Sequence, residues 1–440
     1  MPHKIDLKHV AEIKDPVHGY IFLNEIERSI IDTQVFQRLR YIKQLSGAYI
    51  TYPGADHTRF SHSLGVMHVS GVFASHLYEE GFLKEEEIEE VRLAGLLHDL
   101  GHGPFSHTFE ELTAKYLDKT HEDLSVWLIL NSEVKDKISS YGYDPKKIAL
   151  MATGRYGKKP FLTHIISGAV DSDKMDFLLR DSHYTGVEYG LIDIYRLIYS
   201  SSVVENMIAF KMPGALFALE SFLIARYEMF KAVYFHRTVR SAEIMISKAM
   251  EYARDELGLL SFNTVEDYIT LDDYYVLTKL RELKKRRNLT KELKKAAELM
   301  DMLDKRILLK CSWDGALTIY HIKDKFMASI LTRDDVRHAI EEEIANMAGV
   351  DPETVIIDVP TVPSIPYSIS MEAMEIPVYA LVNGREKTMN FSEISSIANT
   401  LKGFMDMVRV YTFPKYRKCV AEAAKKFFGE PGNVSYRVSF

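Results

Sequence analysis

Apolar positions along most of the chain recur at helical spacing, and one stretch organises the rest: residues 91–107, VRLAGLLHDLGHGPFSH. Val91, Ala94, Gly95 and His98 fall at i, i+3, i+4 and i+7, which predicts a helix whose face of small residues ends on His98. Small residues let other backbones come close, so this helix is expected to be buried. Two glycines and a proline in Leu100-Gly101-His102-Gly103-Pro104 then stop it. Upstream, residues 13–23 (IKDPVHGYIFL) predict a short extended or hairpin element broken at Asp15-Pro16 and His18-Gly19. Asn24 is expected to cap the following helix, with Glu25 and Glu27 in its first turn. Asp32 is expected to cap a second helix running to Ser46-Gly47, with Gln37, Arg40 and Gln44 on one polar face. Ser61 is expected to cap a third through Leu64, Met67, Gly71 and Ala74, with His62 in its first turn and Arg59 beside it.

Further on, Thr120-His121-Glu122 opens a helix, and residues 168–182 (GAVDSDKMDFLLRDS) set Asp171, Asp173, Asp176 and Asp181 into an apolar helical pattern. Carboxylates in such a pattern need partners, because an unpaired buried one is very costly. Residues 216–250 predict a long helical stretch with a mixed stripe of Arg226, Tyr227, Phe230, Tyr234 and Arg237. The charge run of residues 281–306 reads as a solvated helix face. From about Lys310 the period changes to alternation, predicting strands at residues 316–322, 355–359, 378–382 and 408–413. Prolines at 360, 363 and 366 and two helices, at residues 392–402 and 415–428, separate them. The expected fold is mainly α, with a helical unit over residues 1–309 and a smaller α+β unit over residues 310–440, the latter suited to oligomerisation or regulation.

Composition narrows the class. With 47% hydrophobic and 27% charged residues, the 440-residue chain can bury a large core. A net charge of −7 argues against a duplex-DNA binder held by bulk positive charge. Two cysteines, Cys311 and Cys419, make neither a disulfide framework nor a zinc knuckle. No apolar run suits a signal peptide or a membrane span, so a cytoplasmic protein is expected.

The chemistry lies in His62, the His98-Asp99 pair and a later aspartate, each from a different helix. Two imidazoles and two carboxylates on a helical scaffold leave coordination positions open, as a catalytic divalent metal requires. His102, His107 and His121, with Arg59 and Lys174, would surround that metal with donors and positive charge suited to a polyphosphate.

The order H…HD…D resembles that of the HD-domain metal-dependent phosphohydrolases. DPVHGYIFL, DTQVFQRLRYIKQLSG, TRFSHSLGV, LLHDLGHGPFSH, THED and DSDKMDFLLRDS are similar to the deoxynucleoside triphosphate triphosphohydrolases, over about residues 10–240. The resemblance implies His62, His98, Asp99 and Asp173 as ligands of a divalent ion (Mg, Mn, Fe, Ni, Zn or Co). It implies His107 as the donor of a proton to the leaving 5′-oxygen, and His102 and His121 as phosphate contacts alongside Arg59, Lys174 and Arg226. Gln44 and Asp181 would hold the sugar 3′-hydroxyl, and Tyr234, with Leu45 nearby, would exclude a ribose 2′-hydroxyl. Asp32, Gln37 and Arg40 match part of a guanine-nucleotide regulatory site at subunit contacts, in a dimer or tetramer. The implied reaction is hydrolysis of a dNTP to deoxynucleoside and tripolyphosphate, by a metal-activated water attacking the α-phosphorus.

Three positions depart from the family pattern. Phe177 replaces a phosphate-contacting tyrosine, Phe230 replaces a histidine near the base, and Ala11 replaces a regulatory lysine. The first two keep another nucleotide phosphoester open as substrate, such as a nucleoside monophosphate or a signalling nucleotide. The charge run keeps open a nucleotide-sensing or nucleic-acid-binding regulator with an idle metal site.

Overall fold

The computed structural model describes residues 9–317, 331, 333–359, 376–382, 385–401 and 406–430. The fold is mainly α. It begins with an antiparallel hairpin, β1 (Ala11–Asp15) and β2 (Gly19–Leu23), in which Asp15 faces Gly19 across the turn. Asn24 caps α1 (Glu25–Ile31) in a reciprocal box with Glu27. Thr33, not Asp32, caps α2 (Gln34–Gln37), its hydroxyl accepting the Phe36 N–H. The predicted helix to Gly47 stops early. A 3-10 turn at Arg38–Tyr41 ends it, and Lys43 pairs with Thr58 in an isolated bridge, which turns the chain into the site.

The centre is α3 (Arg59–Glu79), buried along nearly its whole length. Its cap is Thr58 rather than Ser61, whose hydroxyl donates to the Thr58 carbonyl instead. Against it pack α4 (Glu85–Leu97) and, later in the chain, α10 (Ser172–Thr185). The small-residue face of α4 is what allows the first contact. A Cβ on Gly95 would sit 2.7 Å from Ser70 Oγ. Between α4 and α10 run α5 (His107–Leu117), α6 (His121–Asn131), α7 (Glu133–Ser140), α8 (Pro145–Ala152) and α9 (Pro160–His164).

After α11 (Ile194–Tyr199) comes a hairpin not foreseen from the sequence, β3 (Ser201–Val204) and β4 (Met207–Lys211). The single helix predicted for residues 216–250 is broken. A π turn at Phe230–Tyr234 separates α12 (Leu216–Met229) from α13 (Arg237–Ala253). Then follow α14 (Val265–Ile269), α15 (Asp273–Leu283) and α16 (Lys291–Asp304). The charge run lies on the last two, where Arg281 pairs with Asp304 and Lys284 with Asp301.

Beyond residue 310, β5 (Lys310–Leu317), β6 (Val355–Asp358) and β9 (Asp406–Thr412) make one antiparallel sheet in the order β5-β9-β6. Helices Asp334–Ala348 and Arg417–Phe428 cover it around a small core of Trp313, Ile344, Val410 and Val420. The strands β7 (Pro377–Val382) and β8 (Arg385–Asn390) go elsewhere. They extend the β3-β4 hairpin into a sheet ordered β3-β4-β7-β8, so strands from both sides of residue 310 share it. The prolines 360, 363 and 366 and the end of the strand predicted to residue 322 lie outside the described residues. No described helix is long and apolar enough to cross a membrane.

Candidate metal centre and substrate cavity

Four side chains from three elements converge: His62, His98 and Asp99 bring one donor atom each within 4.8 Å of one another, and Asp173 joins them through the two imidazoles. His62 comes from the first turn of α3, His98 and Asp99 from the end of α4, and Asp173 from the first turn of α10. His62 Nε2 lies 3.0 Å from Asp173 Oδ1 and 3.6 Å from Asp99 Oδ2. His98 Nε2 lies 3.2 Å from Asp99 Oδ1 and 3.7 Å from Asp173 Oδ1. Both Nε2 atoms are buried without a hydrogen-bond partner. Donors about 2.1 Å from one cation stand roughly 3.0 Å apart at right angles and 3.4 Å apart at tetrahedral angles. The 3.0 and 3.2 Å spacings fall in that range and the 3.6 and 3.7 Å spacings lie a few tenths of an ångström beyond it; the chemistry of the donor set fits a divalent transition metal or magnesium.

The far side of each imidazole is fixed. His98 Nδ1 donates to the Gly95 carbonyl at 2.8 Å, and His62 Nδ1 to Asp176 Oδ2 at 2.7 Å. Both lone pairs on Nε2 are thereby turned inward. Asp176 anchors a deeper relay. It receives both Arg180 Nε (2.8 Å) and Nη2 (2.9 Å), and Arg180 continues to Asp15 in the hairpin. His18 Nε2 closes on Asp176 Oδ1 at 2.6 Å. Against the penalty of burial, Arg180, His18 and His62 hold Asp176 well below the usual carboxylate range. Without a cation, burial opposes a charge on His62 too, but Asp173, Asp176 and Asp99 outweigh it and raise its pKa to about 10, so a metal would bind there in place of that proton.

Gly65 makes this relay possible. A Cβ there would lie 1.8 Å from Asp176 Oδ1 and 2.4 Å from Arg180 Nη2. Alanine gains up to about 1 kcal/mol of helix propensity over glycine. Overpacking a rigid buried ion pair costs about 1–3 kcal/mol or more and dominates here. Gly65→Ala is therefore expected to lower the thermal midpoint and to weaken binding of added Mn²⁺, as calorimetry would read. An unchanged midpoint with unchanged metal affinity would show that the pair yields freely.

The centre opens into a cavity of about 920 Å³ lined by Gln44, Arg59, His102, His107, His121, Lys174 and Arg226, among others. Three ligand candidates, His98, Asp99 and Asp173, line it as well, and of these Asp173 is the most exposed, its side chain one third exposed. Arg59 pairs with Asp99 and donates to Ser106 Oγ at 2.7 Å. Lys174 Nζ is held by Asp171 Oδ2 (2.7 Å) and the Gly168 carbonyl (2.9 Å). Arg226 is buried, and burial pulls it down to about 10 although Asp171, Asp173 and Tyr234 favour its charge.

His102, His107 and His121 bring nitrogens within 4.8 Å of one another. A ring nitrogen binds a cation in the plane of its ring. His102 and His121 are stacked, centroids 3.9 Å apart and planes 17° from parallel, so in this arrangement they cannot both aim at one ion. They suit the oxygens of an anion instead. Glu110 orders two of the three, a residue that the sequence reading did not single out. Its Oε2 accepts from His107 Nδ1 at 3.0 Å, and its Oε1 from His121 Nδ1 at 2.8 Å. Burial lowers the pKa of His121, but Glu110 overrides it and lifts it to about 9. The only trace of Glu110 in the sequence is its place one helical turn after His107.

Asp181, Tyr234 and Leu45 do not line the cavity. Asp181 is engaged from both sides, by His57 Nε2 at 2.7 Å and by the Tyr234 hydroxyl at 2.7 Å. His57, stacked on Tyr184, is a second residue that sequence reasoning missed. The Tyr234 ring meets Phe230 and Phe177 edge-on at 5.0 and 6.1 Å, and these two phenylalanines do line the cavity. Leu45 packs against Ala48, Ala55 and Val239. The far wall comes from the mixed sheet and the turn after it: Met207, Ile208, Phe210, Pro377, Asn390 and Ser392. Asp32 lines a separate surface groove with Arg28 and Lys137. Gln37 and Arg40 bond to each other (2.8 Å), with Arg40 over the Phe60 ring, and neither lines the groove that holds Asp32.

Two family models match. The HD domain matches residues 59–152, and the HD associated region matches residues 192–433. The chain is 39% identical over 247 residues to "Uncharacterized protein YwfO" of Bacillus subtilis, covering 55% of each chain. It is 34% identical over 291 residues to the deoxynucleoside triphosphate triphosphohydrolase SAMHD1 of Homo sapiens, covering 57% of this chain and 46% of that one. The chain thus spans about half the length of the curated relatives it matches. The crystal structure of a hypothetical protein from Aquifex aeolicus superposes with a TM-score of 0.72 at 30% identity, covering 94% of this chain and all of that one.

Proposed function

The chain belongs to the HD-domain phosphohydrolase family, in the branch that carries the HD associated region, and we propose that it hydrolyses deoxynucleoside triphosphates to deoxynucleoside and tripolyphosphate. One observation carries this reading: two orphaned buried imidazole nitrogens and two carboxylates converge beside a cavity into which a Glu110-ordered histidine also points. A divalent cation held by His62, His98, Asp99 and Asp173 would polarise the phosphoryl group and lower the pKa of a water towards about 7. Arg59, His121, Lys174 and Arg226 then offset the charge of the polyphosphate, while His102, which burial and the nearby Arg59 hold well below the usual imidazole range, contacts it as a neutral ring. His107 delivers a proton to the departing 5′-oxygen as the bond from the α-phosphorus to that oxygen breaks, and water supplies the new oxygen on the α-phosphorus. Phe177, Phe210 and Phe230 give the nucleoside flat apolar walls. Tyr234 sets the sugar edge from behind Phe177 and Phe230, with Asp181 and His57 fixing its hydroxyl. A guanine-nucleotide activator would require a second copy of the chain to complete a site around Asp32, Gln37 and Arg40.

Product analysis tests the reading. Incubated with Mn²⁺ and each of the four dNTPs, alone and with GTP, the protein should release deoxynucleoside and tripolyphosphate in equal amounts. Release of dNMP and pyrophosphate would reject the bond that is cleaved. Turnover of nucleoside monophosphates but of no dNTP would favour the second reading, an HD phosphohydrolase on a different phosphoester. Phe177 and Phe230 support that alternative, since they remove two polar groups from the cavity wall.

A further inference from the structure

The loop that delivers His107 is strained, and a distant segment holds it. Phe105 and Ser106 both have left-handed backbones, with φ of +57° and +55°, and Ser106 combines this with ψ of −117°. Neither is glycine, so neither takes such a backbone without outside restraint. His107 follows at once, as the first residue of α5.

The restraint comes from residues 268–273, well beyond the motifs that define the site. Asp273, the first residue of α15, is 1% exposed. Its Oδ1 accepts the Phe105 N–H at 2.6 Å, and its Oδ2 accepts the Lys43 N–H at 3.0 Å. One carboxylate therefore joins the loop before His107 to the stretch that carries Gln44. Ser106 closes the same junction, its hydroxyl donating to the Lys43 carbonyl at 2.9 Å while accepting from Arg59. Tyr268 adds a third tie, giving its hydroxyl proton to the Gly101 carbonyl at 2.6 Å. Arg38 pins the segment itself, donating to the Leu271 carbonyl at 3.0 Å with its guanidinium over the Tyr268 ring. Burial pushes the Asp273 carboxyl up to about 7, although both N–H groups and Lys43 pull it down. An apolar residue would fill this place at lower cost, so the carboxylate is there for what it holds.

We propose that Asp273 is a positioning residue for proton donation: it keeps Phe105 and Ser106 left-handed and so sets where His107 stands over the cavity. The role of His107 is that of the proposed function, on which this rests. Asparagine at 273 offers one acceptor where two N–H groups need one each, so Asp273→Asn must release either Phe105 or Lys43.

The decisive comparison uses two substrates with Mn²⁺. A deoxynucleoside leaves as an alkoxide that needs a proton, whereas p-nitrophenolate leaves bis(p-nitrophenyl) phosphate without one. Asp273→Asn is expected to lower kcat on the dNTP by about tenfold or more, because small misplacements of a reacting group are expensive. KM should stay within about twofold, and the aryl ester rate should fall by less than about threefold. A crystal structure of the variant should show residue 105 or 106 returned to negative φ. Equal losses on both substrates, or an unchanged loop with unchanged kcat, would overturn the proposal. If Asp273→Asn does not fold, Tyr268→Phe keeps the ring and drops only the bond to Gly101, with an expected loss of about threefold, again confined to the dNTP. A wild-type protein inert towards every dNTP sinks the functional reading alone, and the loop geometry of the variant then decides the positioning role by itself.

Discussion

Asp173→Asn should yield a folded protein that no longer holds its metal at working concentrations and no longer turns over nucleotide. Asparagine matches the shape of the carboxylate but brings one neutral donor oxygen to a centre in which His62 and His98 are also neutral donors. Only Asp99 would remain as an anion facing the cation, and Arg59 already claims part of its charge. Altering even an outer partner of a metal ligand costs about 10–100-fold in affinity, so the loss here should be roughly hundredfold or more. The fold should survive, because the Asp173 side chain is one third exposed and its neighbours are the other proposed ligands. Thermal unfolding with and without Mn²⁺ reads both statements at once. At a metal concentration 100 times the wild-type Kd, wild type gains about 2.7 kcal/mol, while a hundredfold weaker variant gains only about 0.4 kcal/mol. The metal-free midpoints should lie close together. Full metal-dependent stabilisation with retained turnover would remove Asp173 from the centre.

The parts of this site legible in the sequence are those set by local rules. The small-residue face ending on His98, the glycine-rich stop after it, and the apolar helix carrying Asp173 follow from spacing and from helix-ending chemistry, and the structure places them accordingly. Boundaries failed where a tertiary partner outbid local preference. Lys43 left its predicted helix to bridge Thr58, and the π turn at Phe230–Tyr234 divided a pattern whose apolar period alone looked continuous. The β3-β4 hairpin escaped notice because its sheet is completed by strands more than 160 residues later, which no local window relates to it. The supporting residues were the hardest. Glu110, His57 and Asp273 carry no motif of their own, and each matters only through a partner that folding brings to it. Asp176 was visible as a carboxylate in need of a partner, but nothing in spacing named His18, His62 and Arg180 as the partners it finds.

Glu110 gives the strongest separation of chemistry from structure. In the protein its two oxygens each take one imidazole proton, from His107 and from His121, and the second also takes the His121 backbone N–H. Glutamine at this position has one accepting oxygen and one donating amide, so it can serve one histidine as Glu110 does and must confront the other with an N–H. That second ring is forced to carry its proton on Nε2 as a neutral imidazole, and both rings lose their hydrogen-bonded carboxylate, with Glu122 at 3.6 Å the nearest one left to His121. Glu110→Gln is therefore expected to lower kcat on a dNTP by about 10²–10⁴-fold, the span over which general acid catalysis contributes. KM should rise as well, because His121 loses the partner that lifts its pKa to about 9 and with it a positive charge facing the polyphosphate. The aryl diester needs no proton on its leaving group, so it should lose far less. Its rate falls only by as much as the histidines help to hold the phosphate. A variant equally impaired on both esters would make Glu110 a support of the fold. One unimpaired on both would take the proton donor away from His107.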